Sequence, residues 1–225
     1  MEYRTRFRER VIGHTPITDF GAVSSRLAKF VRTELSDVAL VARSTESRSD
    51  PDSYSLLMRD AILRSHEVRD LYVDSICWAI PSVEVIEAIR SFACGQKIVE
   101  ICAGRGFWTR LLELKGVKIF PTDIHPPKDA FTQIQEMDSV TAVSHYNEQC
   151  NVLMCVWPAF WNSSAVDALK TFTGRKFIFC GECRGGCTAT DDFFDELKTH
   201  WKIVNEVNNP TFWGIHDSVR MFVRV

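Results

Sequence analysis

The stretch from residue 97 to residue 108 constrains the fold of this chain more than any other part of the sequence. It has the sequence K-I-V-E-I-C-A-G-R-G-F-W. Its apolar, β-branched beginning, Ile98–Ile101, is typical of a buried parallel strand. Gly104 and Gly106 then break the run, and a helical spacing of apolar residues begins at Trp108. A strand, a glycine turn and a helix are half of a nucleotide-binding βαβ unit, in which backbone N–H groups at the helix N-terminus approach a ligand.

A second predicted strand follows this unit and leads to an acidic residue. It covers Gly116–Phe120 and is followed by Pro121, Thr122 and Asp123. Asp123 lies seventeen positions after Gly106, where a carboxylate can accept hydrogen bonds from the two hydroxyls of a ribose. The two strands therefore predict a cofactor that contains a nucleoside.

Two classes of cofactor fit this pattern differently. A dinucleotide site needs a third small residue where the helix packs on the strand, and Thr109 occupies that position. Glu100, Gly104 and Gly106 instead resemble the E-x-G-x-G-x-G motif of class I methyltransferases that use S-adenosylmethionine (SAM). The acid after the second strand resembles their ribose-binding acid. Cys102 replaces the first glycine of the motif, so its side chain is expected to narrow the room beside the cofactor.

The composition is that of an ordinary globular protein with one sizeable α/β domain. We predict a helical extension over residues 1–75 and a cofactor-binding domain over residues 76–225. The net charge of −2 argues against a surface built for the phosphate backbone of a nucleic acid. Neither a membrane span nor a signal peptide is expected. The eight cysteines, mostly in apolar segments, indicate reduced thiols and a cytoplasmic location.

The N-terminal third predicts helices without recognisable chemistry. The four alternating arginines predict a solvated edge segment or mobile tail, in preference to an RNA-binding arm: Arg4, Arg6, Arg8 and Arg10. Helical spacing over residues 18–42 predicts one apolar face, made by Phe20, Val23, Leu27, Phe30, Val31, Leu35, Val38 and Val41. A polar loop is expected from Ser44, and a second helix capped by Ser53 should bury Leu56, Leu57, Ile62 and Leu63.

Aromatic residues lie where ligand pockets of open α/β sheets form. Trp78 precedes a helix that Ser82 is expected to cap, and it either joins the helices to the sheet or roofs the cofactor pocket. The apolar strand Asn151–Val156 ends in W-P-A-F-W, at the carboxyl edge of the sheet. Relatives that methylate amino groups carry an Asn or Asp and two prolines here. The missing acid or amide argues against methylation of adenine N6 or glutamine, and the aromatic residues alternatively form a hydrophobic lid.

The predicted fifth strand, Lys176–Cys180, runs into G-E-C-R-G-G-C-T. Cys180, Cys183 and Cys187 have a metal-like spacing, but structural zinc sites have four ligands, so we expect no metal. Glu182 and Arg184 are instead predicted to face a polar substrate. The nine residues between the last two predicted strands are too few for a helical crossover, which makes these strands antiparallel.

The ordered motifs W-A-I-P, E-I-C-A-G-R-G-F-W, D-I-H-P-P, V-W-P-A-F, G-E-C-R-G-G-C-T and G-I-H-D resemble those of a family of SAM-dependent methyltransferase-like proteins over residues 72–225. The family pattern is W-A-I-P, E-x-G-A-G-x-G-x-W, D-x-x-P-P, C-W-P-P-Y, G-E-x-R-G-G-C-T and G-I-H-D. The resemblance implies a Rossmann-like sheet of seven strands with the last one antiparallel. It implies SAM as the cofactor and leaves the acceptor open.

Each predicted site residue follows from this resemblance or from its place at the carboxyl edge of the sheet. The cofactor is expected to contact Glu100, Cys102, Ala103, Gly104, Gly106, Trp108, Asp123, Ile124, Asp138 and Trp157. A small-molecule or peptide-like acceptor is expected to contact Trp78, Phe160, Arg184 and Trp213. Proton transfer is assigned to His216 next to Asp217, with Glu182 as the competing base. A catalytically silent SAM-fold protein that binds a partner and a nicotinamide-dependent enzyme remain the alternatives.

Overall fold

A computed structural model describes residues 2–35 and 51–225 of the chain, without the side chains of residues 51–55. Its centre is a seven-stranded sheet in the order β3-β2-β1-β4-β5-β7-β6. The strands are β1 (Ile98–Ile101), β2 (Ile119–Asp123), β3 (Gln135–Glu136), β4 (Val152–Val156), β5 (Lys176–Gly181), β6 (Trp201–Asn208) and β7 (Ser218–Arg224). Only β7 runs antiparallel to its neighbours, β5 and β6. This arrangement confirms the predicted class I methyltransferase sheet.

Helices cover both faces of the sheet. The described helices are α1 (Glu2–Ile12), α2 (Phe20–Phe30) with a π-helical continuation (Val31–Leu35), α3 (Pro51–Ser75), α4 (Val83–Ala93), α5 (Phe107–Leu114), α6 (Ser139–Tyr146), α7 (Ser164–Thr171) and α8 (Asp191–His200). Alternate residues of a strand point to opposite faces. In β4, Met154 accordingly packs with α4 and α5, whereas Leu153 and Cys155 pack with α6 and α7. The sheet therefore separates two apolar cores.

The N-terminal segment is a packed helix, so the prediction of a solvated edge segment or mobile tail was wrong. Phe7, Val11 and Ile12 of α1 are buried in the same core as α4 and α5. Phe7 and Val11 are four positions apart and therefore share one helical face, a period that the alternating arginines obscured. The domain division at residue 75 remains a prediction, because this core continues across it.

The predicted helix over residues 18–42 is confirmed in part. Val23, Leu27 and Phe30 are buried, while Phe20, Val31 and Leu35 are partly buried against them. Val38, Val41 and the predicted loop from Ser44 to residue 50 lie outside the described residues.

The predicted beginning and buried face of the next helix were wrong. Helix α3 already includes Pro51, so Ser53 lies inside it and does not cap it. Leu56, Leu57 and Leu63 are 60%, 43% and 50% exposed, and Ile62 is partly buried. The buried face instead carries Ser65, Val68, Tyr72 and Ser75. These residues are three or four positions apart, which is the spacing of one helical stripe.

The helix caps and strand ends near the sheet follow the sequence closely. Ser82 accepts a hydrogen bond from Val85 N (3.2 Å), as predicted, and Asp138 accepts bonds from the N–H groups of Val140 and Thr141 at the start of α6. Trp201 follows α8 directly and is the first residue of β6. Across residues 2–35 and 51–225, no helix combines the length and apolarity that a membrane span requires.

Candidate cofactor site

The glycine turn between β1 and α5 contains two glycines in different surroundings. Both adopt the left-handed conformation, with φ of 55° at Gly104 and 67° at Gly106. A Cβ at Gly106 would lie 2.9 Å from Cγ2 of Thr132, so only glycine fits there. A Cβ at Gly104 would meet no atom within 4 Å. Gly104 therefore borders open space, and its contact with a cofactor remains a prediction.

Asp123 ties the end of β2 to this turn. Its Oδ2 accepts a hydrogen bond from Gly104 N (2.8 Å), and its Oδ1 accepts one from His125 N (2.9 Å). A carboxylate oxygen has two lone pairs, so each oxygen can accept a further bond. The side chain is partly buried. This geometry suits a carboxylate that must bind a pair of hydroxyls beside a glycine turn.

A cavity of about 260 Å³ opens beside the turn, and we call it the cofactor cavity. It is lined by Val73, Ile76, Cys77, Trp78, Glu100, Cys102, Ala103, Gly104, Arg105, Trp108, His125, Pro127 and Val156. Five of the predicted cofactor residues, together with Trp78, thus meet at one place. The other five predicted cofactor residues do not line the cavity: Gly106, Asp123, Ile124, Asp138 and Trp157. Of these, Ile124 is exposed and Asp138 caps α6. The contribution of Arg105 was missed, because the motif leaves its position unspecified.

Cys102 adopts a left-handed conformation (φ 58°) at the position where glycine is usual. Its Sγ lies 3.8 Å from Oγ of Ser139, at the start of α6. A contact with the buried Cys155 thiol is the main cause that lowers the pKa of Cys102. The side chain is therefore directed toward α6 and β4 while it still borders the cofactor cavity.

Glu100 is a buried carboxylic acid in the wall of this cavity. It is 1% exposed, and the hydroxyl of the equally buried Thr109 donates a hydrogen bond to it. Burial raises the pKa of Glu100 from 4.5 to about 8. Thr109, the residue that argues against a dinucleotide site, is therefore hydrogen-bonded to Glu100 in the interior of the protein.

We expect Glu100→Gln to flatten the dependence of stability on pH. Between pH 4.5 and about 8 the folded protein retains a proton on Glu100 that the unfolded chain releases, so stability falls as the pH rises through this window. The parent should lose up to about 1.4 kcal/mol per pH unit relative to the variant. Urea unfolding of both proteins from pH 5 to pH 9 measures this difference. Parallel curves across the window would contradict a protonated Glu100.

One member of an aromatic pair lines the cofactor cavity. This residue, Trp78, stacks on Trp157, with ring centroids 5.4 Å apart and planes 18° apart. The guanidinium of Arg69 lies 5.7 Å and 5.5 Å from the two ring centroids. Trp78 borders the cavity and is 47% exposed; its role as the roof of a cofactor pocket remains a prediction.

Asp217 fixes the orientation of Trp157. The indole Nε1 donates a hydrogen bond of 2.9 Å to Oδ2 of Asp217, which is 5% exposed. Burial raises the pKa of Asp217. The neighbouring His216 has an exposed side chain, so the described partner of Asp217 is an indole and not the imidazole.

Glu182 joins two loops at the carboxyl edge of the sheet. Its Oε2 accepts a hydrogen bond from Cys187 N (2.7 Å), and its Oε1 accepts one from His216 N (3.0 Å). Arg184 forms ion pairs with Asp191 and Asp195 of α8. Phe160 and Trp213 are exposed and lie outside the lining of the cofactor cavity. The acceptor and catalytic roles of these residues remain predictions.

Comparison with known proteins adds similarity of shape but not of sequence. No protein-family model and no curated protein matches the sequence. Burkholderia thailandensis 1,6-didemethyltoxoflavin-N1-methyltransferase, solved with bound 1,6-didemethyltoxoflavin and S-adenosylhomocysteine (SAH), is 14% identical with a TM-score of 0.48, over 79% of this chain and 92% of that chain. Magnesium protoporphyrin IX methyltransferase from Synechocystis, solved with SAM, is 11% identical with a TM-score of 0.47, over 94% and 100%. Likeness at this level assigns no function.

Proposed function

We propose that this protein binds SAM and transfers its methyl group to a small-molecule or peptide-like acceptor. The observation that carries the proposal is the hydrogen bond of 2.8 Å between Gly104 N and Asp123. It joins the open glycine turn to the acid at the end of β2, inside a sheet with the class I strand order. This hydrogen bond supports the proposal because it joins the two parts of the proposed nucleoside site directly.

The residues present fit this cofactor. Asp123 has free lone pairs for the ribose hydroxyls, and Gly104 leaves open space for the cofactor beside the glycine turn. Glu100 offers a buried acid whose charged form a cationic ligand would favour. SAM supplies a methyl group already activated on a sulfonium. The chain's task is therefore to align donor and acceptor and to exclude water.

Different residues of the chain are proposed to contribute to this task in different ways. Trp78 lines the cavity and stacks on Trp157, which Asp217 orients through a hydrogen bond. Glu182 is buried, at 6% exposed, and both its oxygens accept bonds from backbone N–H groups, so we assign it to positioning the loop that carries His216. The exposed imidazole of His216 remains the proposed proton acceptor for an acceptor group that must lose a proton.

Calorimetric titration of the purified protein with SAH, SAM and NAD tests this proposal. We expect saturable binding of SAH and SAM and no binding of NAD, because Thr109 replaces the small residue of a dinucleotide turn. NAD binding without SAH binding would contradict the proposal. SAM binding without methyl transfer to any small-molecule or peptide acceptor would favour the catalytically silent alternative.

A further inference from the structure

A second cavity, of about 620 Å³, lies beside the cofactor cavity, and we call it the basic cavity. It is lined by Arg4, Thr5, Arg8, Asp74, Ser75, Arg105, Lys128 and Asp129. Arg105 borders both cavities. Ser75 and Lys128 of the basic cavity adjoin Ile76 and Pro127 of the cofactor cavity along the chain. The two cavities therefore share a wall, and the volume of the second suits a small molecule.

The basic cavity has an excess of positive charge. Four cationic side chains and two carboxylates line it, which leaves two positive charges. Asp129 is shared by two arginines, at 3.4 Å from Nη2 of Arg8 and 3.5 Å from Nε of Arg105. Lys128 has no ion pair or hydrogen bond to any residue that the structure describes. An anionic ligand would neutralise this excess, although the chain as a whole carries a net charge of −2.

Two buried polar atoms in the wall make no hydrogen bond to the described residues. Ser75 is 3% exposed, and its Oγ makes no hydrogen bond to the described part of the chain. Nε of Arg105 is likewise buried without a hydrogen bond to a described residue, despite its ion pair with Asp129. Buried polar groups are normally paired. A hydroxyl and a guanidinium can both donate hydrogen bonds to the oxygens of a carboxylate or phosphate.

Arg8 is held in place beside these atoms before any ligand binds. Its Nε donates to Ser75 O (3.0 Å) and its Nη2 donates to Asp129 O (2.9 Å). The guanidinium lies 4.3 Å from the centroid of the Phe131 ring. Burial is the main cause that lowers the pKa of Arg8; the carboxylate of Asp129 acts in the opposite direction, and the nearby charge of Arg105 lowers it further.

We propose that the basic cavity binds an oxyanion of the methyl acceptor, a carboxylate or phosphate group, next to the bound cofactor. This inference rests on the proposed function, because it names the acceptor class for the same site. Ser75, Arg105 and Lys128 contact the oxyanion. Arg8 supplies fixed positive charge at the cavity wall. Helix α1 is thereby part of the acceptor site.

Inorganic phosphate is the probe for this inference. We titrate it by calorimetry into the protein with and without saturating SAH, at constant ionic strength. Lys128→Ala should weaken phosphate binding about tenfold, the effect of one charged hydrogen bond. Ser75→Ala should weaken it severalfold and should not destabilise the free protein, because the lost hydroxyl has no described partner there. Lys198→Ala, at an exposed position of α8 outside the cavity lining, is the matched control and should bind phosphate like the parent.

Each outcome decides the inference. Saturable binding of phosphate to the SAH complex supports an acceptor site if Lys128→Ala and Ser75→Ala weaken it and the control Lys198→Ala does not. Competition between phosphate and SAH would overturn it, because the cavity would then take the cofactor's own carboxylate. Absence of phosphate binding to a protein that binds SAH would overturn it and leave the proposed function intact. The separate SAH titration shows whether SAH itself binds. Absence of SAH binding would contradict the proposed function.

Discussion

Replacement of Asp123 by alanine is expected to weaken SAH binding by about tenfold to a hundredfold, or about 1–3 kcal/mol. The variant loses the carboxylate that would accept hydrogen bonds from the ribose. It also frees Gly104 N and His125 N, whose bonds to Asp123 hold the glycine turn against the end of β2. Calorimetric titration with SAH measures the effect directly.

Two further variants separate the ribose contact from general damage. Asp123→Asn retains one acceptor oxygen and should fall between the parent and the alanine variant. Glu148→Ala removes an exposed acid at the end of α6, outside the cofactor cavity, and should bind SAH like the parent. Parental affinity in Asp123→Ala would rule out this carboxylate as the ribose ligand.

Replacement of Glu182 by alanine is expected to lower the free energy of unfolding by about 1–3 kcal/mol. Glu182 is 6% exposed and accepts bonds from the backbone N–H groups of Cys187 and His216. The variant leaves both groups without this acceptor and releases the two loops from each other. Urea unfolding at pH 7 gives the difference in stability.

His216→Ala is the matched comparison for this loop. Its side chain is exposed and its backbone N–H is unchanged by the substitution, so the unfolding midpoint should equal that of the parent. Once a methyl acceptor that must lose a proton has been identified, His216→Ala should slow turnover at saturating SAM. If Glu182→Ala unfolds like the parent, the loop-joining role assigned to Glu182 is wrong.

The sheet could be predicted because its determinants are local. Strand β4 is an uninterrupted apolar run, and the short link before β7 permits only an antiparallel return. The glycine turn and Asp123 were likewise recognisable from spacing alone, and the structure joins them by one hydrogen bond.

The contacts that the sequence could not predict are made between distant residues. Arg8 reaches Asp129 across 121 positions, and Glu182 reaches His216 across 34. Alternating charges in α1 therefore resembled a solvated segment, although Arg8 is held against the loop after β2. In α3, the leucines that resembled a core face are exposed, because the stripe through Val68 and Tyr72 packs on the core instead. Local pattern gives the elements, and tertiary packing decides which face is buried.

A crystal structure of the protein grown with SAH tests the central claim most directly. We predict that the ribose lies beside Gly104, with both hydroxyls within hydrogen-bond distance of Asp123, and that the rest of the ligand enters the cofactor cavity lined by Glu100 and Trp78. Ligand density at any other place on the protein, or none at a saturating SAH concentration, would contradict the claim.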